Sequence, residues 1–583
     1  MTITDFLRPI KSALRMMPAM LVSVLVGLIV TGCDQPINVT SYSKPTPVPV
    51  IQITGKLEYQ DRVYDSNGFI NGNMPYKPIR DTLVDLIDDR NVIIATTKTN
   101  QVGLFSFNDI PIGSYTLQIV ARSNLAGGQT VSVYNNFGAL YAMTKAFEFT
   151  QLETVANWRI NVADNVAGIF NILDVMNSAF EYVDVISQNT ILLDDLSVFW
   201  QVNNNKGSYT CFMATSGSCD QGPGIYVLSS LSSDTDEFDD DVLLHEFAHW
   251  MEKSTDMLDS PGGPHSAYDT GLDLRLSWSE GHSSYFQAAV KDWLRNFNGN
   301  AGRLSIPGNM STDQYTDTTP VGIALHIDYL SLSTHQKYAS NEAAVTHVLL
   351  AMKDSINSSH EIVFRPFTSA LQLNATADTL ESFWDALLVG RSEVSPSNTV
   401  LQWKSALNNR QITYDLDSYE PNDDMLTNAT PLALLCSPDS LPASCIPGLQ
   451  ATLYLTADVT NIDKDYYKLS LIGGVTYTIS TDFLTNGADT QIALFDSVGN
   501  PVLNGFDTPL YNDDAIYYNP PCCPPPTDLH NGSHFSSEIM FTPGTDTTVY
   551  LLVESAEGIY DPTTLGLHGS GRYGGYQLFI NAS

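Results

Sequence analysis

The spacing of apolar residues changes twice along this chain, and that change limits the folds open to it more than any other feature. From about residue 50 apolar and polar side chains alternate, as they do from Ser114 to Ile119. From about residue 165 the apolar residues recur at helical spacing, and beyond Leu416 they alternate again. Alternation indicates strands with one wet face, and the longer period indicates amphipathic helices. We therefore expect a multidomain protein with a β-sandwich, a mainly α (α+β) domain and a C-terminal β-sandwich.

Length and charge narrow the function as well as the fold. The 583 residues are enough for about three or four domains of ordinary size. We place these domains at 50–150, 155–412 and 413–583. The formal net charge is −36, from 64 acidic and 28 basic residues, so the phosphate backbone would repel the chain. Nucleic acid is therefore not an expected partner, whereas a soluble exported protein fits this balance.

Residues 1–32 have the three zones of an export signal. Basic residues precede an apolar run from Ala19 to Val30, which is too short to span a bilayer comfortably. The run ends in Val30–Cys33 (VTGC), which resembles the bacterial lipobox. The resemblance implies removal of the signal peptide and lipidation of Cys33, followed by a linker over 33–49. We therefore expect a lipid-anchored protein of the bacterial cell envelope, on the inner or the outer membrane; a buried structural cysteine is the alternative.

Six further cysteines follow, and an exported compartment permits their oxidation. Among the pairings open to six cysteines we choose local ones, because closing a ring lowers the entropy of the unfolded chain. The expected disulfides join Cys211 to Cys219 and Cys436 to Cys445. The pairing of the adjacent Cys522–Cys523 stays open.

Two short patterns mark the strand-rich segment near the start. They are Thr99–Phe107 (TNQVGLFSF) and Ile110–Tyr115 (IPIGSY), and together they resemble the small sandwich called carboxypeptidase-regulatory-like. The likeness covers about residues 50–122. It implies a spacer or adhesive module without catalytic residues.

The most informative segment is Asp239–Trp250 (DDDVLLHEFAHW). Two histidines four apart on a helix project from one face, so His245 and His249 can reach one tetrahedral zinc ion. Glu246 stands next to the first histidine and can lean toward a water on that metal. The alternative is a pair of core or surface histidines. The three aspartates that lead into this helix either stabilise its positive N-terminal end or attract a cationic substrate. The strand before the helix, Gly224–Leu228, offers an edge to which an extended peptide could pair.

A third ligand is needed, and its position distinguishes the subclasses of such zinc enzymes. A metzincin would continue with glycine at 252 and histidine at 255, but the chain has Glu252 and Thr255. Downstream, Leu276–Phe286 (LSWSEGHSSYF) contains Glu280 and resembles the gluzincin arrangement of thermolysin-like and bacterial collagenase-like peptidases. The resemblance implies a zincin-like metallopeptidase domain, with the two histidines and Glu280 as zinc ligands and Glu246 as the catalytic base.

Other positions near this segment carry further expectations. The residue four after the third ligand is often an acid that orients a histidine; here it is Ser284, so another group must take that part. His265 and His282 are expected in a loop and on a helix surface. A donor to the oxyanion is also needed. The candidates for it are His326, Tyr329 and Tyr338.

Four patterns in the C-terminal strands resemble the bacterial pre-peptidase C-terminal domain in order and spacing. They are Tyr419–Asp423 (YEPND), Ile462–Tyr467 (IDKDYY), Asp489–Asp496 (DTQIALFD) and Gly574–Leu578 (GGYQL). The likeness covers about residues 417–582. It implies a domain of the kind that accompanies secreted peptidases.

The acidic loops of this domain point to calcium as a second metal. Calcium takes six to eight oxygen ligands, so several acidic and amide side chains on neighbouring turns suit it, and related domains of collagenase-like enzymes bind calcium at such loops. The alternative is that these residues only start turns and solvate the surface. The expected calcium ligands are Glu420, Asn422, Asp423, Asp463 and Asp465.

Together these resemblances imply a membrane-anchored, extracytoplasmic zinc endopeptidase that hydrolyses protein or peptide substrates with metal-activated water. Two alternatives stay open, as does the oligomeric state. One is a non-catalytic surface adhesin built on a peptidase scaffold, although retention of Glu246 argues against it. The other is a zinc amidase that acts on cell-wall peptide.

A Cys33→Ser protein is expected to leave the membrane fraction and to keep its signal peptide, because no thiol remains for acylation. Cell fractionation with mass spectrometry of the N-terminal peptide measures both effects. Ser43→Ala, in the adjoining linker, is the control that should stay anchored. Retention and normal processing of the Cys33→Ser protein would contradict the lipobox.

Overall fold

A computed structural model describes residues 49–583 with internal gaps. The segments outside the described residues are 1–48, 212–218, 231–233, 256–259, 270–271, 297–302, 334–335, 356–359, 362–363, 365–378, 389–396, 413, 415–416, 437–440, 454–463, 483, 485–489, 513–535 and 556–573. The export signal, Cys33, Asp463 and Cys522–Cys523 therefore lie outside the described residues. Within the described ranges, no helix combines the length and the apolar character that crossing a membrane requires.

Short strands come first in the described chain. In order they are β1 (Val50–Gln60), β2 (Tyr64–Asp65), β3 (Gly68–Phe69), β4 (Tyr76–Pro78), β5 (Thr82–Ile87), β6 (Ile93–Lys98), β7 (Leu104–Pro111), β8 (Gly113–Asn124), β9 (Thr130–Tyr134), β10 (Ala142–Phe149) and β11 (Trp158–Ile160). In β8, Leu117 and Ile119 are buried, while Thr116 and Gln118 are half-buried. This is the alternation expected of a strand with one face on the core.

Helices dominate the next part of the chain. After a short 3-10 helix (Val162–Asp164) come α1 (Ala167–Ile186), β12 (Leu196–Trp200), β13 (Tyr209–Cys211), β14 (Gly224–Val227), β15 (Ser229–Ser230), β16 (Asp234–Thr235), α2 (Asp240–Ser254), α3 (Leu274–Asn296), β17 (Gln314–Thr319), β18 (Gly322–Asp328), α4 (Glu342–Asp354), α5 (Leu380–Leu388) and α6 (Asn398–Asn408). Local chemistry sets some of the ends. The Asn341 side chain accepts a hydrogen bond from the backbone of Ala344 and so caps the start of α4.

Strands from two predicted domains share one eight-stranded sheet. Its order is β13-β14-β12-β9-β8-β5-β6, with β10 also paired to β8. β9 and β12 run parallel, with Val131 opposite Leu196. A second sheet has the order β11-β1-β4, with β7 also paired to β1. The boundary between 50–150 and 155–412 stays a prediction, but strands from both sides of it are hydrogen bonded to each other.

The strand pairing shows that the edge predicted to bind an extended peptide was assigned to the wrong strand. β14 covers the segment expected to offer a free edge, but it pairs with β12 on one side and with β13 on the other. Its backbone groups are therefore already used on both sides. β13 ends the sheet instead. With three residues, this strand is too short to produce a period that sequence reasoning could detect.

One hydrophobic core continues from the eight-stranded sheet into the helices. It includes Leu117 of β8, Phe170 of α1 and Phe247 of α2, each at most 1% exposed. Phe247 lies between Phe180 of α1 and Phe286 of α3, with ring centroids 5.1 and 5.7 Å away. The position of α2 therefore depends on packing from both of its helical neighbours.

The C-terminal part is a β-sandwich, as predicted. Its strands are β19 (Thr430–Leu432), β20 (Ala443–Leu453), β21 (Lys464–Leu471), β22 (Tyr477–Asp482), β23 (Thr490–Phe495), β24 (Tyr511–Asn512), β25 (Glu538–Phe541), β26 (Thr547–Ser555) and β27 (Gly574–Ala582). They form a sheet of order β19-β21-β26-β23-β24 and a sheet of order β20-β27-β22-β25. Leu469, Ile479 and Leu578 belong to a separate core between these sheets and are fully buried.

Both predicted local disulfides are present. Cys211 pairs with Cys219 across a Cα–Cα distance of 5.7 Å, and Cys436 pairs with Cys445 across 4.5 Å. The first disulfide ties the end of β13 to the loop that precedes β14. It therefore anchors the terminal strand of the eight-stranded sheet.

Leu117→Ala is expected to lower the free energy of unfolding by about 2–5 kcal/mol, because it leaves a cavity in the core. Since β8 and α2 share this core, the substitution should also speed hydrogen exchange in the peptides of α2. Mass spectrometry of exchange measures this. Leu104→Ala, at a side chain 47% exposed, is the control. Unchanged exchange in α2 would mean that the two regions unfold independently.

Candidate metal centre

Helices α2 and α3 carry the residues expected to hold a metal. On α2, Leu243, Phe247 and Met251 follow one another at intervals of four and are at most 1% exposed. This apolar face fixes the rotation of the helix in the core. His245 and His249, which lie between these positions, are turned toward α3.

A glycine sets how closely α3 approaches α4. A Cβ atom at Gly281 would lie 2.6 Å from Cβ of Val345 and 2.7 Å from the carbonyl oxygen of Glu342. Both distances are shorter than van der Waals contact allows, so only glycine permits this packing. Glu280 directly precedes this glycine, and its position depends on the close approach.

Three ligand atoms from these helices converge. Nε2 of His245 lies 3.1 Å from Oε2 of Glu280 and 3.2 Å from Nε2 of His249, and the third distance, His249 to Glu280, is 3.4 Å. Tetrahedral zinc with bonds of about 2.0–2.1 Å separates its ligand atoms by about 3.3–3.4 Å. The three atoms therefore already have nearly the spacing of three corners of a zinc tetrahedron.

The charges of this group depend on one another. Burial alone would raise the pKa of Glu280, but the charge of His249 and hydrogen bonds from both histidines hold it well below its usual range. Burial alone would lower the pKa of His249, but Glu280 and Glu252 raise it well above the usual value. A cation between these groups would take over the stabilisation that protons on the histidines otherwise supply.

Serines of α3 orient both histidines. Nδ1 of His245 lies 3.3 Å from Oγ of Ser284, and Nδ1 of His249 lies 3.0 and 3.1 Å from the hydroxyls of Ser279 and Ser283. Ser284 was not expected to orient a histidine, but its hydroxyl contacts His245. Partners on Nδ1 favour the tautomer that leaves Nε2 free for a metal.

α3 has a serine at position 284, where an acid that orients a histidine is often found. Glu252, one turn beyond His249 on α2, supplies an acid near the histidines instead. Its Oε2 accepts a hydrogen bond of 2.7 Å from Ser279, and its Oε1 lies 2.8 Å from Nδ1 of His282. Glu252 and His282 are at most 1% exposed. The expectation that His282 lies on a helix surface is therefore wrong: the ring stacks on Trp278 and pairs with Glu252. Sequence reasoning missed this pair because it forms only where α2 and α3 cross.

Glu246 is held by the terminal strand of the sheet. The hydroxyl of Thr210 in β13 lies 2.7 Å from Oε2 of Glu246 and 2.8 Å from its backbone oxygen. The glutamate is 9% exposed and lines the same cavity as the histidines. The structure therefore places the expected base beside the expected metal ligands.

A cavity of about 590 Å³ opens over these residues. Its polar walls include Tyr209 of β13, His265 of the loop before α3 and Tyr315 of β17. The three expected oxyanion donors are absent from its lining in the described residues. The residues predicted to donate to the oxyanion were His326, Tyr329 and Tyr338, because they follow α3 in the chain. Residues of β17, and none of these three, line this side of the cavity in the described structure.

His265 lies closer to the ligands than its sequence suggested. It is in a loop, as expected, but its Nε2 is 3.3 Å from Oε2 of Glu280 and 3.6 Å from Oε2 of Glu342. The contact with Glu280 raises the pKa of His265 to about 9. Nothing in the spacing of its neighbours marks it, because the loop brings it to the site from outside the helices.

The three aspartates that lead into α2 serve as anchors. Asp239–Asp241 are at most 2% exposed. The first accepts a backbone hydrogen bond from Thr318 (2.6 Å), and the last accepts one from Thr316 (2.8 Å) and one from the ammonium of Lys291 (2.6 Å). They tie β17 and α3 to the start of α2. Because they are buried among these groups, attraction of a cationic substrate is not their role.

The predicted calcium ligands are brought together only in part. Nδ2 of Asn422 donates to Oδ1 of Asp465 at 2.9 Å, and both residues are fully buried. Glu420 accepts a hydrogen bond from the backbone of Asn422. Asp423 is exposed, and Asp463 lies outside the described residues. Burial raises the pKa of Asp465 well above its usual range. Calcium at this place stays a prediction.

No protein-family model matches the chain, and no curated protein matches it. Among solved structures, it is similar to the precursor of protealysin, a metalloproteinase from Serratia proteamaculans: identity is 12%, 48% of this chain and 87% of that chain are covered, and the TM-score is 0.28.

Two further structures match shorter parts of the chain. One is the pre-peptidase C-terminal domain of a collagenase from Bacillus anthracis (15% identity, 26% of this chain and 93% of that chain, TM-score 0.14). The other is a putative carbohydrate binding protein from Pseudomonas aeruginosa (15% identity, 20% and 89%, TM-score 0.12). All of these likenesses are distant and assign no family.

Glu252→Gln is expected to lower zinc affinity about 10–100-fold, because the neutral side chain orients Ser279 and His249 less strongly. Competition with a chelating dye measures the affinity, and circular dichroism checks the fold. Glu148→Gln, at an exposed position in β10, is the control and should bind zinc normally. Wild-type zinc affinity in a folded Glu252→Gln protein would remove Glu252 from the site.

Proposed function

We propose that this protein is a zinc-dependent endopeptidase with a zincin-like catalytic region, in which His245, His249 and Glu280 hold the metal. The observation that carries the proposal is the mutual spacing of their three ligand atoms, 3.1–3.4 Å. The donor set of two imidazoles and one carboxylate is one that catalytic zinc sites use. When bound, zinc lowers the pKa of a water molecule to about 7 and polarises the carbonyl to be attacked.

Glu246 acts as the general base in this proposal. Thr210 holds one oxygen of its carboxylate, at 2.7 Å, so the side chain has a fixed direction. The carboxylate accepts a proton from the attacking water and then delivers it to the nitrogen of the departing amine. The hydrogen bond from Thr210 to the carboxylate limits its rotation between these two transfers.

The terminal strand β13 positions the substrate. In the described part of the chain, β13 is the last strand of the sheet and pairs with β14, so its side away from β14 forms the edge of the sheet. An extended peptide can add to this edge through backbone hydrogen bonds, which do not depend on side chains. Thr210 of β13 touches Glu246, and the peptide bond opposite Thr210 is therefore the one presented to the base.

Donors in the cavity wall stabilise the negative oxygen that develops on the attacked carbonyl. Tyr209, His265 and Tyr315 carry suitable groups and line the cavity. A fixed donor in a site with little water contributes far more than the same group in solution. We propose that one of these three side chains donates a hydrogen bond to the oxyanion, the role that the sequence predicted for His326, Tyr329 or Tyr338.

The expected place of action is the outer side of a bacterial membrane. The support is the lipobox-like Val30–Cys33 together with two disulfides, which suit an oxidising compartment. Protein or peptide substrates outside the cytoplasm are therefore the expected partners.

Glu246→Gln is expected to keep zinc and the fold but to lower peptide hydrolysis by at least about a hundredfold, the low end of general-base effects. Release of fluorescent peptides from casein measures the activity, and elemental analysis measures zinc. Glu153→Gln, at an exposed loop position, is the control with wild-type activity.

Two results would overturn the proposal. One is a folded wild-type protein that takes up no zinc when incubated with it and cleaves no peptide or protein substrate. The other is a Glu246→Gln protein with activity near wild type.

A further inference from the structure

His265, Glu280 and Glu342 form a second group of metal-ligand side chains next to the first. Nε2 of His265 lies 3.3 Å from Oε2 of Glu280 and 3.6 Å from Oε2 of Glu342, and the three ligand atoms lie within 4.8 Å of one another. Imidazole nitrogen and carboxylate oxygen are both ligands of zinc, which separates them by about 3.3–3.4 Å. His265 and Glu280 line the cavity, so an ion can reach the group from solvent.

The hydrogen bond on the far side of the His265 ring shows which nitrogen faces the carboxylates with a lone pair. Nδ1 of His265 lies 3.0 Å from the carbonyl oxygen of Gly263. A carbonyl oxygen only accepts, so Nδ1 carries the proton and Nε2 of the neutral ring is an acceptor. Nε2 and the two carboxylates are then three acceptors that face one another, which requires a cation between them. A backbone carbonyl on the other ring nitrogen is a usual partner of a histidine that binds a metal.

Glu342 supplies a buried oxygen that is directed at this histidine. Its side chain is 9% exposed, and its Oε2 has no hydrogen-bond partner among the described residues. The start of α4 favours a negative charge at this position, but none of its described N–H groups donates to Oε2. Burial of a carboxylate costs free energy unless its charge is balanced. The nearest group that can share a balancing cation is His265.

Asn341 fixes the two outer ligands relative to each other. Its Oδ1 caps the start of α4, which carries Glu342. Its Nδ2 donates to the carbonyl oxygens of Ala267 (3.2 Å) and Asp269 (2.7 Å) in the loop that carries His265. One side chain therefore holds both the loop and the helix, and the ligands are arranged before any ion binds.

We propose that His265, Glu342 and Glu280 form a second zinc site, in which Glu280 is shared with the first ion. A carboxylate has two oxygens, so Glu280 can bind one ion with each. In known two-metal sites the ions lie about 3.5–4 Å apart. The inference rests on the metal centre of the proposed function through Glu280, but it does not depend on peptide hydrolysis.

The second ion is expected to bind more weakly than the first. The side chain of His265 is 27% exposed, whereas those of the three ligands of the first site are 11–14% exposed. Water therefore competes more strongly for the second ion, and the first ion repels it.

A second ion also changes the wall of the cavity. It joins the loop of His265 to α3 and α4 and so orders that loop. Because Nε2 of His265 is then bound to the ion, it no longer donates to the oxyanion. Tyr209 and Tyr315 remain as the donors proposed above.

Zinc titration of the protein, first freed of metal with a chelator, tests the second site. Competition with a chelating dye measures the number of ions and both affinities, and circular dichroism checks the fold. The wild type should bind two zinc ions. His265→Ala and, separately, Glu342→Gln should weaken the second ion at least about tenfold, since loss of even a group that only orients a ligand costs that much. Both variants should keep the first ion.

Two further variants and a second readout sharpen the test. Glu280→Gln should weaken both ions, because it removes the shared ligand. His326→Ala, at a described histidine that does not line the cavity, is the control and should bind two ions. In the wild type, the second equivalent of zinc should slow hydrogen exchange in the peptide that contains His265. In Glu342→Gln protein it should not.

The outcomes separate the second site from the proposed function. A wild type that binds one ion and cleaves peptides overturns the second site alone. A second ion that both variants retain also overturns it, because that ion binds elsewhere. Loss of the tight ion in His265→Ala protein assigns the histidine to the first site and overturns it as well. Two ions that behave as expected, in a protein that cleaves no peptide, support the second site and overturn the peptidase function alone.

Discussion

The packing of α2 against α3 is the constraint on which the rest of this site depends. It places two imidazole nitrogens and one carboxylate oxygen within 3.4 Å of one another, at a depth where each ligand residue is largely shielded from water. The apolar contacts of Phe247 with Phe180 and Phe286 hold α2 in this position, and Gly281 lets α3 lie close to α4. Core packing already fixes the ligand side chains, so little further entropy is lost when a metal binds to them.

Carboxylates serve two different purposes around this packing. Those at the start of α2 accept hydrogen bonds from backbone N–H groups and from Lys291, so they hold β17 against the helix. Glu252 is satisfied by Ser279 and His282 and directs His249. The net charge of −36 therefore does not describe solvation alone.

Local patterns predicted much of this structure. The helical spacing around His245 and His249 predicted α2, and the alternation around Leu117 predicted β8, because both signals come from neighbouring residues. The contacts of Glu252 and His265 were not predicted, since they depend on how helices cross and where a loop returns. The parallel pairing of β9 with β12 joins residues far apart in the chain, and no local period reports such a pairing. The docking edge was assigned to β14 for the same reason: the short β13 that covers it has no pattern of its own.

Anomalous diffraction at the zinc absorption edge, from crystals grown with zinc, tests the central claim most directly. The account predicts a peak about 2.0–2.2 Å from Nε2 of His245, Nε2 of His249 and a carboxylate oxygen of Glu280, with Glu246 beside it but not bound to it. A fully zinc-loaded protein whose peak lies elsewhere, or crystals with no peak at these three residues, would contradict it.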